Sequence, residues 1–155
     1  MAGCHLLDPA SGGWNLPAVK AHLPGGTHVV IHWARRTQGL MLAPGNPLDI
    51  TGLADAVRRG LRFALRAEGA GSQRLLDVML SREGLTPAHL TATAAPAETH
   101  ADMAALIETG EADCGLGLQA AAGNLGFLPL LDDERFDLVM TRRDYFEPPV
   151  QALLA

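Results

Sequence analysis

Apolar residues recur along this chain at helical spacing in some segments and in strict alternation in others, and the two kinds of segment follow one another. Val29–Ala34 and Gly39–Ala43 read as two short strands separated by the polar stretch Arg35-Arg36-Thr37-Gln38, and Pro44-Gly-Asn-Pro47 closes that unit with a turn. A helix is predicted from Leu53 to Arg59, with Leu53, Ala56 and Val57 on one side. Leu61–Arg66 alternates apolar and basic residues, as a strand does. From Ser72 or Gln73 to Arg82, Leu75, Leu76, Met79 and Leu80 form the stripe of an amphipathic helix that Gly84 stops. A strand over Leu90–Ala95 leads to a helix over His100–Thr109, where Met103, Leu106 and Ile107 share a face. Ala112–Leu118, Phe127–Leu131 and Phe136–Thr141 are further strand candidates, and Pro148–Ala155 reads as the first turns of a helix. Residues 1–28 carry neither pattern. Pro9, Gly12, Gly13, Pro17, Pro24, Gly25 and Gly26 punctuate a loop-rich entry with one short helix from Pro17 to Leu23. Strands alternating with helices imply an α/β sheet with helices on both faces.

Composition narrows the class. The 155 residues are 48% hydrophobic, enough for a core and too many for a disordered chain. Only 5% are aromatic, so small and aliphatic side chains are expected to fill that core. A formal charge of −5 argues against nucleic acid as a direct partner, because neutralising phosphates needs clustered Lys and Arg. Arg58, Arg59, Arg62, Arg66 and Arg74 do cluster in sequence, and are read as a solvated face. A small anion is compatible with the negative balance, since its binding depends on local donors. Cys4 and Cys114 form no C-x-x-C and read as free thiols, Cys114 buried in a strand. No secretory pattern opens the sequence and no apolar run approaches membrane-spanning length, so a cytoplasmic chain without membrane insertion is expected. The periplasm is the alternative if a signal peptide has been removed.

Glu68-Gly-Ala-Gly-Ser-Gln-Arg74 is the segment most suggestive of chemistry. Gly69 and Gly71 let backbone N–H groups approach a ligand, Ser72 is positioned to cap the helix or offer its hydroxyl, and Arg74 adds a cation in the first turn. With the helix dipole these donors make an anion site; a plain strand-to-helix turn is the competing reading. The turn matches neither the P-loop nor the dinucleotide fingerprint. Thr99 with Asp102 reads as a capping box, placing His100 at the first helical position, near the same sheet edge. The glycines of Asp113-Cys-Gly-Leu-Gly-Leu118 suit close packing. Asp132, Asp133 and Glu134 read as a solvated turn, and His28 and His32 as ordinary strand histidines. No catalytic residue and no metal or cofactor site is expected; His100 is the one candidate acid or base.

Taken in order, Ala2-Gly-Cys-His-Leu-Leu-Asp-Pro9, Arg36-Thr-Gln-Gly-Leu40, Ala43-Pro-Gly-Asn-Pro47, Arg62-Phe-Ala-Leu-Arg66, Gly69-Ala-Gly-Ser-Gln-Arg74, Thr99-His100, Ala112-Asp-Cys-Gly-Leu-Gly-Leu118 and Glu134-Arg-Phe-Asp-Leu138 resemble the periplasmic-binding-protein-like domain of type II topology. That domain is often fused to helix-turn-helix or molybdopterin-biosynthesis modules and is similar to molybdate- and tungstate-binding proteins and to LysR-type effector domains. The resemblance implies two α/β lobes joined by crossing strands, with ligand held between them and bound by cleft closure. It makes Gly71, Ser72 and Arg74 the oxyanion-contacting turn, with Thr99 and His100 at the second helix start. Ala70 and Gln73 depart from the family's usual Gly-Ser-Gly-Thr-Arg.

The expected architecture is therefore α/β, of the type II periplasmic-binding-protein-like class, with one three-layer lobe essentially complete and a second lobe partial. Residues 1–43 form the remnant of the first lobe and the first crossing strand, and 44–134 the second lobe. Residues 135–155 form the return crossing and the start of the final helix. The strands near Leu40–Ala43 and Phe136–Thr141 are the expected crossings. The expected function is non-catalytic binding or sensing of a small oxyanion such as molybdate or tungstate. The alternatives are the effector module of a transcription regulator whose DNA-binding domain is absent here, and an enzyme module of molybdenum-cofactor biosynthesis. Expected partners are the small anion, a DNA-binding or molybdopterin-biosynthesis domain outside this chain, and a second copy in a homodimer that buries the truncated lobe's open face.

Overall fold

A computed structural model describes residues 1–23 and 25–155; Pro24, part of the expected N-terminal loop, lies outside the described residues. The strands are Ala2–Cys4 (β1), His28–Leu42 (β2), Arg62–Phe63 (β3), Thr91–Ala92 (β4), Cys114–Leu118 (β5) and Gly126–Thr141 (β6). The helices are Leu16–His22 (α1), Leu53–Arg58 (α2), Gly71–Arg82 (α3), His100–Glu108 (α4), Arg142–Tyr145 (α5) and Pro148–Leu154 (α6). The fold is a mixed α/β, three-layer arrangement on a six-stranded sheet of order β1-β6-β2-β5-β3-β4. Two compact units divide the chain, Met1–Arg35 with Glu134–Ala155, and Arg36–Asp133.

The helix expectations hold to within a residue or two, whereas the long strands differ. The expected pair Val29–Ala34 and Gly39–Ala43 is one strand, β2, and Phe127–Leu131 with Phe136–Thr141 is one strand, β6. Asp132, Asp133 and Glu134 are correspondingly not a turn: they lie inside β6, and Glu134 is fully buried. Polar residues break a hydrophobic pattern without breaking a ladder, because strand pairing uses only backbone groups.

In the unit Arg36–Asp133, β3 pairs in parallel with both β4 and β5, Phe63 lying opposite Ala92 and Cys114. β5 pairs antiparallel with β2, from Gln38 opposite Leu118 to Leu42 opposite Cys114. The chain moves from β3 out to β4 through α3, then back across β3 to β5 through α4. Right-handed crossovers in opposite directions put α3 and α4 on opposite faces of the sheet. Beneath α4, Met41, Ala64, Met103, Ala104, Ile107 and Leu125 form one buried cluster. Alternation turns Leu40 and Leu42 to the face where α3 buries Leu75, Leu76 and Leu80. Gly115 permits the α4 packing, since a Cβ there would stand 2.7 Å from Met103 Sδ and 2.9 Å from the Ala64 carbonyl. Helix α3 ends in a Schellman motif. Gly84, at φ +70°, donates to the Ser81 carbonyl, and Leu85 N–H donates to the Leu80 carbonyl.

The other unit is held differently. Among the described residues its buried apolar side chains are Leu138, Val139 and Met140 of β6, and α1, α5 and α6 bury none. A polar knot replaces a core. Asn15, fully buried at φ +58°, accepts from Leu6 N–H at 2.7 Å and donates to Asp137 Oδ2 at 2.8 Å. Arg135 Nε donates to the same carboxylate, His32 Nδ1 lies 3.2 Å from it, and His5 Nδ1 lies 3.0 Å from Glu134 Oε1. Burial alone raises a carboxyl pKa, but hydrogen bonds from Asn15, Arg135 and His32 hold Asp137 below its ordinary value.

Stability should follow this division. Leu80→Ala, at a fully buried site, should cost about 2–5 kcal/mol in urea unfolding. Leu153→Ala, on exposed α6, should stay within about 0.5 kcal/mol of the parent. Equal losses in the two variants would contradict it.

Candidate functional site

The parallel pairing of β3 with β4 and β5 sends all three carboxyl ends to one edge of the sheet, and both long helices begin there. Open α/β sheets bind ligands outside such an edge.

Helix α3 starts at Gly71, so Gly71, Ser72 and Gln73 contribute backbone N–H groups that have no carbonyl one turn back. The first α-helical bond runs from Arg74 N–H to the Ala70 carbonyl, 3.1 Å. Ala70 is the N-cap and offers no side-chain acceptor, and the first turn holds no acidic residue. The sequence reading of Ser72 as a cap is therefore corrected: it stands one residue inside the helix. Ser72 is 2% exposed, and its hydroxyl makes no hydrogen bond to any described residue. Arg74 is exposed and has no ion-pair partner among the described residues. Gly69, at φ +87°, makes the bend that brings the chain into this start. Gln73 turns away from the opening. Its Oε1 accepts from Arg66 N–H at 3.2 Å, and its Nε2 donates to Asp77 at 3.3 Å.

Helix α4 starts with its own anion in place. Thr99 Oγ1 accepts from Asp102 N–H at 3.0 Å, and Asp102 Oδ2 accepts from both Thr99 N–H and Thr99 Oγ1 at 2.8 Å. This is the expected capping box, and it commits the Thr99 hydroxyl to the helix. His100 occupies the first helical position with Nδ1 against β5, 3.2 Å from where a Cβ on Gly117 would stand. Gly117 faces Gly39 across the β5–β2 ladder, beside fully buried Gln38.

Arg66 joins the two starts. It forms a parallel bridge with Ala97, its Nε donates to the Ala97 carbonyl at 3.0 Å, and its Nη2 donates to the Glu98 carbonyl at 2.6 Å. Of the arginine run, Arg58, Arg59, Arg62 and Arg74 are exposed and Arg66 is half-buried. Arg59 pairs with Asp55, and Arg62 grips Asp113 through Nε and Nη2 at 3.1 and 2.7 Å. The Arg62 hydrogen bond holds the Asp113 carboxyl below the usual carboxylate range. Next to it, burial pushes the Cys114 thiol up, so it remains a protonated core side chain. Arg66 was legible only as the last residue of a strand before a glycine turn; its reach to Ala97 and Glu98 was not.

The PBP superfamily domain matches residues 1–155. The chain belongs to the PBP superfamily. Solved structures share the fold. The chain superposes with TM-score 0.60 and 18% identity on PhnD1 from Prochlorococcus marinus (MIT 9301) in complex with methylphosphonate, covering 81% of this chain and 54% of that one. It superposes with TM-score 0.64 and 15% identity on the effector binding domain of QuiR in complex with shikimate, covering 85% and 64%. In sequence it is 35% identical over 142 residues to YvgK of Bacillus subtilis (strain 168), itself described as uncharacterized. That alignment covers 90% of this chain and 46% of YvgK, so this PBP-superfamily chain spans about half the length of its curated relative.

The two helix starts should respond differently to truncation. Thr99→Ala should cost about 0.5–2 kcal/mol by chemical denaturation, the ordinary loss of an N-cap. Ser72→Ala removes a buried hydroxyl that makes no hydrogen bond to a described residue, so it should leave stability unchanged or slightly raised. A Ser72 variant as costly as the Thr99 variant would give Ser72 a structural role instead.

Proposed function

We propose that this chain binds a small oxyanion at the start of α3, without catalysing a reaction on it, and that molybdate and tungstate are the first ligands to test. The observation that carries the reading is the contrast between the two helix starts: α4 is closed by its own Asp102, while α3 has no side-chain cap and no acidic residue in its first turn. A helix start that lacks internal anions offers backbone N–H groups and the positive end of a dipole to an external one. Ser72 adds a hydroxyl and Arg74 an exposed cation on the same turn. A dipole alone supplies only about 0.3–1 kcal/mol in an exposed setting, so affinity requires these donors to act together. We assign Thr99 and His100, at the start of α4, to the same ligand-facing edge. A sensor and a free-standing binder use the same chemistry here, and the complexes of PhnD1 with methylphosphonate and of QuiR with shikimate are in keeping with an anionic ligand.

Thermal unfolding in molybdate, tungstate, sulfate and phosphate tests the reading. A ligand at 100 times its Kd should add about 2.7 kcal/mol, a rise of roughly 5–10 °C for a chain of this size. Ala70→Asp supplies the missing cap from within. It should raise the unliganded stability by about 1 kcal/mol and remove the anion-dependent rise. Absence of a rise with every oxyanion, or an Ala70→Asp protein that responds like the parent, would overturn it.

A further inference from the structure

We infer that Arg66 is the positioning residue that ties the α3 and α4 starts into one rigid rim, an inference that rests on the anion-binding reading for its functional meaning. Its backbone and side chain work in opposite directions. The N–H of Arg66 holds Gln73 in the first turn of α3, while its guanidinium holds the Ala97 and Glu98 carbonyls immediately before the Thr99 cap of α4. One more bond runs alongside, from Ala97 N–H to the Leu65 carbonyl at 2.7 Å. Beyond them, the described residues joining β4 to α4 are held to β3 by the bond from Thr93 N–H to the Phe63 carbonyl at 3.0 Å, next to the short β3–β4 pairing of Arg62–Phe63 with Thr91–Ala92.

The choice of residue type matters. A planar guanidinium reaches two successive carbonyls with separate donors in a fixed plane; a lysine ammonium is a point donor on a flexible stem. Arg59 and Arg62 are each paired with an aspartate, whereas Arg66 has only neutral carbonyl partners among the described residues. Its charge is therefore retained at the edge where α3 presents its unfilled N–H groups. The same side chain fixes the rim and keeps it positive.

Amide hydrogen exchange on the unliganded protein tests the tie directly, with parent, Arg66→Lys, Arg66→Met and Arg74→Ala compared. Arg66→Met should accelerate exchange of the Ala97 amide and of the first α4 amides by about tenfold or more, the effect of losing roughly one strong bond. Arg66→Lys, which keeps the charge and loses the fork, should restore little of that protection. Arg74→Ala should leave these amides at parental rates, and the α3 stripe amides around Leu80 should be unchanged throughout, showing that the fold is intact. Parental exchange at Ala97 in Arg66→Met, or full restoration by Arg66→Lys, would overturn the inference. Molybdate titration of the same variants separates it from the binding reading. If the parent binds no oxyanion, that reading fails while the exchange data still decide the tie. If the parent binds, Arg66→Lys should bind at least about fivefold more weakly despite its charge, and parental affinity would show that charge alone is at work.

Discussion

Parallel strands leave their carboxyl ends on one side, and a helix that follows each strand must begin there with its N–H groups and positive dipole end outward. In the unit Arg36–Asp133, β3 pairs in parallel with both neighbours, so α3 and α4 open onto one edge from opposite faces of the sheet. Two like-signed helix ends at one edge have an electrostatic cost unless each finds a negative partner. The chain resolves that cost once internally, with Asp102, and leaves it open at α3. The same edge carries buried Ser72, whose hydroxyl has no hydrogen bond among the described residues, an exposed Arg74, and Arg66 held by carbonyls.

Packing explains why the edge can be precise. Leu75, Leu76 and Leu80 anchor α3, and Met103 and Ile107 anchor α4, all in side chains that are almost wholly buried. Small residues at Gly115 and Gly117 let α4 lie close to β5. The unit formed by Met1–Arg35 and Glu134–Ala155 has three buried apolar side chains on one strand and a network around two buried carboxylates. Such a network specifies geometry well, yet contributes less stability per residue than apolar burial does. Six of the exposed large hydrophobic residues, Met1, Leu16, Leu23, Trp33, Phe146 and Leu153, belong to this unit.

Much of this was legible in the residue pattern, for physical reasons. The α3 and α4 stripes are periodic and bounded by strong signals, Gly84 in one case and Thr99 with Asp102 in the other. The two long strands were read as four because Arg35–Gln38 and Asp132–Arg135 interrupt their apolar pattern. Glu134 and Asp137 are buried because His5 and Asn15, 129 and 122 residues away, satisfy them. No local rule carries that information. The glycine turn was legible as a helix start, but Ser72 was read as its cap. The helix begins two residues earlier than that cap implies, at Gly71, which leaves Ala70 as the cap and the serine inside. The Arg66 contacts depend on the alignment of β3 with β4, which a sequence pattern does not specify.

Helix α3, and not α4, begins without an internal anion. Amide chemical shifts recorded while titrating the full chain with molybdate test it at single-residue resolution. The largest changes should fall on the N–H groups of Gly71, Ser72 and Gln73, with Asp102 little affected because its N–H already donates to Thr99 Oγ1. Changes centred on Thr99–Asp102 with Gly71–Gln73 unmoved, or no saturable change at either start, would contradict it.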